Sequence, residues 1–331
     1  MKNFFHKLHS DQRGSAAVVT ALFMVVLIGF SAFALDLGIY YDEASKLQNS
    51  LDSSVLAALQ ELPATNTSSS AWAAAKNAAI SYAALNETVL TADDIQPVYK
   101  DDVATNSIIG IKATKSTVVE FNFAKVLGIN SGTVTRTASA GLVPAGGVRG
   151  AIPLSITASS LSNALANGVL TGLTIKCSSN TGDIGIDSTG VNGWFGALRF
   201  EGSGASIYSD LLAYGYNGTL TVGQVLEMEN GNMSGPTMDG FTTRYSRCKD
   251  GCTADNYLPD CPKLVYVPVV QIISSSRVKI VSFATFFLES CGGSGRNAYI
   301  KASYLKDIVV SDSATGVSGL DFGIYVGKLL D

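Results

Sequence analysis

The side chains best suited to chemistry in this chain are five cysteines, Cys177, Cys248, Cys252, Cys261 and Cys291, and a scatter of carboxylates. Cys248, Cys252 and Cys261 fall within 14 residues (CKDGCTADNYLPDC), a loop so poor in apolar residues that a cross-link would supply the order that burial does not. Where oxidation is permitted, all five are candidate disulfide cysteines, and their odd number leaves one thiol over unless it pairs between chains. Zinc held by the three clustered cysteines and a distant fourth is the sharper alternative, although C-x3-C-x8-C is not a standard zinc spacing. Asp250, Asp255 and Asp260 lack the acidic periodicity of an EF-hand and read as a solvated loop.

The two histidines are His6 and His9, so nothing beyond position 9 supplies an imidazole base or ligand. Ser-His-Asp and Cys-His nucleophiles are thereby excluded from the rest of the chain. Carboxylates remain for acid–base work: Glu227 and Glu229 share one face of a candidate strand and lie near Asp239 in sequence. Alternating charges of this kind also occur on ordinary exposed strands, and no catalytic role is expected. Gly202-Ser203-Gly204 and Gly292-Gly293-Ser294-Gly295 lack the Gly-Lys-Ser/Thr ending of a phosphate-binding loop and read as turns. The formal charge of -4, with no polybasic patch beyond the amino-terminal tail, excludes a basic nucleic-acid binder. No cofactor, metal or small-molecule substrate is expected.

The elements that must position these residues begin with a membrane segment. Between Arg13 and Asp36 no residue is charged, and Ser15 to Leu35 as a helix spans roughly 30 Å, one bilayer crossing. Lys2, Lys7 and Arg13 precede the apolar run, whereas Asp36, Asp42 and Glu43 follow it. The positive-inside bias therefore places the amino terminus in the cytoplasm and the remainder outside. The competing reading is a cleaved secretory signal at Ala32-Phe33-Ala34, but the apolar run exceeds the usual signal core and continues as a helix.

Leu35, Ile39, Leu47, Leu51, Val55, Leu59 and Leu62 recur at helical spacing, predicting an amphipathic helix that continues from the span as one helix of about 45 residues in all and stops before Pro63. A break near Gly38 is the alternative. Ala71 to Leu85 predicts a second helix with Ser70 as its cap. Ile95–Tyr99, Ile108–Ser116, Val118–Phe123 and Thr133–Ala140 predict strands, making a small α+β unit that ends at the turn-rich 144–147. Beyond residue 146 lie 25 of the 33 glycines, with strand candidates at Leu220–Met228, Leu264–Ile273, Val278–Leu288 and Tyr299–Tyr304, and one helix at Ser159–Ala166. This is the pattern of a glycine-rich, mostly β domain, in which Pro268 marks an edge or a bulge. The expected class is α+β, organised as leader 1–14, span 15–35, extracytoplasmic α+β module 36–146 and β-rich domain 147–331.

The stretch Arg13-Gly14-Ser15-Ala16, the apolar run, Ala34-Leu35-Asp36-Leu37-Gly38, and the helix carrying Leu47, Gln48, Asn49 and Asp52 resemble the amino-terminal signature of TadE/TadG-like proteins of bacterial Flp (tight-adherence) pilus assembly. The segment Phe121–Ile129 and the strand after it look like the close of that module. The resemblance implies a non-enzymatic, membrane-anchored component of a type IV-like pilus, a minor pseudopilin or assembly protein serving biogenesis and adhesion. Its implied partners are the membrane, other Tad/Flp assembly proteins and pilin. Gly14-Ser15 is the position at which prepilin-like members lose their leader. Val19 stands where such members carry a glutamate, so the resemblance implies a fixed assembly role at least as readily as a filament subunit. The alternatives are an adhesin unrelated to pili and an extracellular hydrolase using carboxylates.

Overall fold

Arg13–Ala58 contains no proline, and its apolar first half leads into alternating apolar and polar positions without a helix stop. In the computed structural model this segment is one helix, α1 (Arg13–Ala58), 46 residues and about 69 Å long, unbroken at Gly38. The structure describes residues 13–104, 106–176, 194–231, 233–295, 298–306, 308–310 and 319–330. A single 3-10 turn, Leu59–Glu61, ends the helix before Pro63. The chain divides into two compact units, Met1–Gly141 with Leu329–Asp331, and Leu142–Lys328.

In the first unit, α2 (Ser70–Leu85) packs beside α1. Its cap is Ser69, one residue earlier than expected, whose side chain accepts from the Trp72 N–H at 3.2 Å. Trp72, Ala75, Ala79 and Ala83 form its buried face, at helical spacing, opposite buried Leu51, Val55 and Ala58 of α1. The small alanines let the two axes approach closely. Then β1 (Ile95–Tyr99), β2 (Ile108–Glu120) and β3 (Ser131–Pro144) make an antiparallel meander, with Ile111 opposite Ala140 and Glu120 opposite Ser131. The two strands expected at Ile108–Ser116 and Val118–Phe123 are one. Lys115, Ser116 and Thr117 interrupt the apolar pattern but not the ladder, because Thr114–Thr137 and Ser116–Thr135 hydroxyl pairs at 3.0 and 2.8 Å bridge the exposed face.

The second unit is built on a seven-stranded sheet. Its members are β5 (Ile156–Thr157), β6 (Leu173–Lys176), β7 (Trp194–Arg199), β9 (Val225–Asn230), β10 (Leu264–Ile272), β11 (Arg277–Gly292) and β12 (Tyr299–Leu305). The long β11 is the hub, paired along one edge with β10 and along the other with β9 and then β12. The expected irregularity near Pro268 is a bulge: register shifts between Val269 and Val270, one residue past the proline, where Val269 opposes Ser282 and Val270 opposes Ile280. The extra residue, Val281, changes the parity of β11. Val278, Ile280 and Phe283 therefore pack in one core, and Ala284, Phe286 and Leu288 in the other.

Both faces of the sheet are thus covered. One core takes Leu161 of α3 (Ala158–Ala166), Tyr208 and Leu212 of α4 (Ala205–Tyr214) and Phe241 of α5 (Ser234–Ser246). The other takes Val148 and Leu220 from the two-stranded β4 (Gly147–Arg149) and β8 (Thr219–Thr221), and Ile324 of β14 (Ile324–Leu330). A short β13 (Ile308–Val309) pairs with β14 in parallel. Helices α4 and α5 were not expected from sequence. Their crossing is tight at Gly240, where a Cβ would stand 2.6 Å from the Ser209 carbonyl oxygen.

Candidate functional site

The residues of the amino-terminal signature converge where α1 leaves its apolar half and meets the β2–β3 loop. The large apolar side chains from Val18 to Leu35 are exposed, Phe30 by 71%, and α1 is long and apolar enough to cross a membrane. The first residue after that stretch, Asp36, is 2% exposed. Its carboxylate accepts three backbone N–H groups, from Asn122 at 2.8 Å, Phe123 at 2.9 Å and Ala124 at 2.6 Å. These donors open the short 3-10 turn Ala124–Leu127, whose own preceding residue supplies no side-chain cap. Asp36 is therefore a cap delivered from another element, satisfying three amides that open the turn. The turn ends at Gly128, which takes φ +83, a conformation that a side chain disfavours.

Burial pushes the Asp36 carboxyl upward, but the Ala124, Asn122 and Phe123 N–H groups and the Lys125 cation outweigh it and hold the group below its ordinary 3.8. One helical turn on, the Tyr40 hydroxyl donates to the Thr133 carbonyl at 3.0 Å, and its ring lies 6.3 Å from that of Phe121. Gly132 leaves room for both rings, since a Cβ there would meet Phe121 at 2.9 Å and Tyr40 at 3.1 Å. Gln48 then donates to Asp52 at 2.9 Å and to the Thr137 carbonyl at 3.3 Å. Together these contacts, at positions 36, 40 and 48, tie three of four turns of α1 to β2, β3 and the loop between them.

The buried stripe of α1 accordingly runs through Asp36, Ala44, Leu47, Leu51, Val55 and Ala58, with Tyr40 half-buried among them. Leu35 and Ile39, expected to lead it, are instead exposed, by 57% and 38%. The stripe is rotated by one residue because its first anchor is a carboxylate reaching amides. Of the other signature residues, Leu47 is core, whereas Gly38 and Asn49 lie on the exposed side. A Cβ at Gly38 would meet nothing within 4 Å. Gly14 and Ser15 fall in the first turn of α1.

Two carboxylates of the second unit, Glu227 and Glu229, are committed to an ion pair. Arg199 on β7 donates to Glu227 at 2.7 Å and to Glu229 at 3.0 Å, both on neighbouring β9. The Glu229 carboxylate is the principal influence raising the Arg199 guanidinium above its usual value. Asp239 is exposed on α5 and takes no part in this pair. A second network in the first unit joins Asp94 to Lys115 at 2.8 Å and to the Thr91 N–H and hydroxyl. Burial raises the Asp94 carboxyl, but Lys115 and then Thr91 bring it below 3.8.

The cysteines separate into a cluster and an outlier. The sulfurs of Cys248, Cys252 and Cys261 all lie within 4.8 Å of one another, and Cys248 and Cys261 are 3.7 Å apart. Cys291, at the end of β11, packs against the helix-covered core. Cys177 lies outside the described residues, as do His6 and His9.

No curated protein and no solved structure matches the chain. Residues 14–84 match the Tad family, described as "Putative Flp pilus-assembly TadE/G-like". That match covers all of α1 beyond Arg13, with Asp36, Tyr40 and Gln48, and α2 up to its last residue. The exposed apolar helix and its buried anchor thus lie within residues 14–84, the stretch that is similar to the TadE/G-like Flp pilus-assembly family.

Proposed function

We propose that this protein is a non-enzymatic, membrane-anchored component of a bacterial Flp/Tad pilus, an assembly protein or minor pseudopilin, with its amino terminus in the cytoplasm and residues 36–331 outside. The observation that carries this reading is the continuity of α1. One helix passes from a lipid-suited stretch into the core of the first unit, and Asp36 fastens it at the changeover. Such a joint transmits position from membrane to module without a hinge. Among the described residues a Cβ at Gly38 would meet nothing within 4 Å and Asn49 is exposed, which leaves that side of the helix to other Tad/Flp proteins, pilin among them. Lys2, Lys7 and Arg13 before the span support the orientation. The Arg199 ion pair supports a structural task for Glu227 and Glu229, and the β-rich second unit is the part free to meet a surface in adhesion.

The mass and amino-terminal sequence of the protein isolated from its own membranes test the proposal. An intact leader in the membrane fraction marks a fixed assembly component, and a start at Ser15 marks a processed pseudopilin. A start at Leu35 in a released form sinks the anchored reading. Deletion of the gene is expected to abolish or shorten surface pili, and unchanged piliation would overturn the pilus role.

A further inference from the structure

The three clustered cysteines sit in the segment between α5 and β10, and the positions of their ligand atoms follow from how that segment is held. Cys252 and Cys261 are buried against Phe287 of β11, with Cys248, Tyr257 and Leu305 packed around them. The Cys248–Cys261 separation of 3.7 Å is close to the edge of a tetrahedron of sulfurs about 2.3 Å from a central ion, roughly 3.8 Å.

Charge points the same way. Lys263 is 8% exposed, donates to the Cys252 carbonyl at 3.2 Å and lies 4.1 Å from the Tyr245 ring centre. Arg244 is also buried and donates to the carbonyl of Pro262, next to Cys261, at 3.0 Å. Among the described residues neither cation pairs with a carboxylate, and a buried positive charge without a counter-charge is costly. Parity adds a further constraint: one disulfide among three contiguous sulfurs leaves a thiol beside the bridge, whereas one ion engages all three.

We propose that Cys248, Cys252 and Cys261 form a three-thiolate site for a sulfur-preferring metal ion, with Zn2+ as the occupant. A Zn2+ ion with three thiolates carries one net negative charge, which the neighbouring Lys263 and Arg244 offset. Binding releases the thiol protons and cross-links the segment to the start of β10 without any redox step. Three protein ligands leave a fourth coordination position for water or another donor.

The test uses full-length protein extracted in mild detergent without reductant or chelator. Elemental analysis is expected to find about one zinc per chain, lost in Cys252→Ser, with all three cysteines alkylated by iodoacetamide only after zinc is removed. Wild-type protein reloaded with Co2+ is expected to show thiolate-to-cobalt charge transfer and the intense visible bands of tetrahedral coordination, a readout that does not depend on how a variant folds. Copper in place of zinc on the same three cysteines would keep the thiolate site and replace its assigned ion. A peptide map showing a disulfide between any two of them, or three free thiols with no bound metal and no cobalt spectrum, would overturn the proposal.

Discussion

At the scale of single residues, Asp36 joins two segments that are remote in sequence, since its partners lie 86 to 88 positions away. Asp36→Asn keeps the shape but loses the charge and one acceptor oxygen. It is expected to raise amide hydrogen exchange at Asn122, Phe123 and Ala124 and to lower the Tm of the first unit by several degrees. Unchanged exchange at those amides would remove the capping role. The pH dependence has a definite sign. The carboxyl is depressed in the folded state, so its stabilisation is complete above the ordinary 3.8 and is lost as pH falls through its lower folded value. Asp94 acts in the same direction. Acid unfolding followed by circular dichroism below pH 3.8 should therefore be shallower in Asp36→Asn than in the parent. Glu227 is 61% exposed in its ion pair, so Glu227→Gln should cost at most about 1 kcal/mol, read from a urea melt. Piliation should be unaffected. Spacing shows the three cysteines as a group, but spacing does not show Arg199 meeting Glu227 and Glu229, because that contact depends on β7 pairing with β9.

At the scale of elements, α1 serves two solvents with one backbone. Leu51 is fully buried and Leu35 is exposed. Leu51→Ala should cost about 2 to 5 kcal/mol in the first unit, whereas Leu35→Ala should leave that unit's melting unchanged, as measured by hydrogen exchange in detergent. Gly38→Ala meets no neighbour and should stabilise the helix by about 0.5 to 1 kcal/mol. If piliation falls while exchange protection rises, that side of the helix serves a partner. The long helix was legible because its apolar period is sustained over many residues, whereas β2 read as two strands because its polar middle breaks the apolar pattern. Helices α4 and α5 were not legible. The first begins after Gly204 at φ +131 and the second after Met233 at φ +49, neither with a side-chain cap, and α5 contains Gly235, Pro236 and Gly240. Packing creates them: Gly240 admits the α4 backbone, and Arg244 and Arg247 of the α5 end donate to the Leu212 and Ala213 carbonyls near the end of α4.

At the scale of the whole molecule, a helix long and apolar enough to cross a membrane and a two-faced sheet occupy separate units of one chain. With the amino terminus inside, protease added to intact cells after outer-layer permeabilisation should digest epitopes in residues 36–331 and spare one fused before residue 13. The reverse pattern would invert the proposed orientation. The amino-acid sequence alone determined the lipid-length apolar run, the helical period that follows it, the absence of imidazole chemistry beyond residue 9 and the α+β class. Each of these rests on composition or on a period confined to neighbouring residues. Tertiary structure alone decided that the helix turns Asp36 rather than Leu35 inward, that Val281 redirects β11 between two cores, and that buried lysine and arginine stand beside three sulfurs. Those outcomes depend on partners tens of residues away, brought together only when loops close and backbone amides must find acceptors, and no local pattern carries that information.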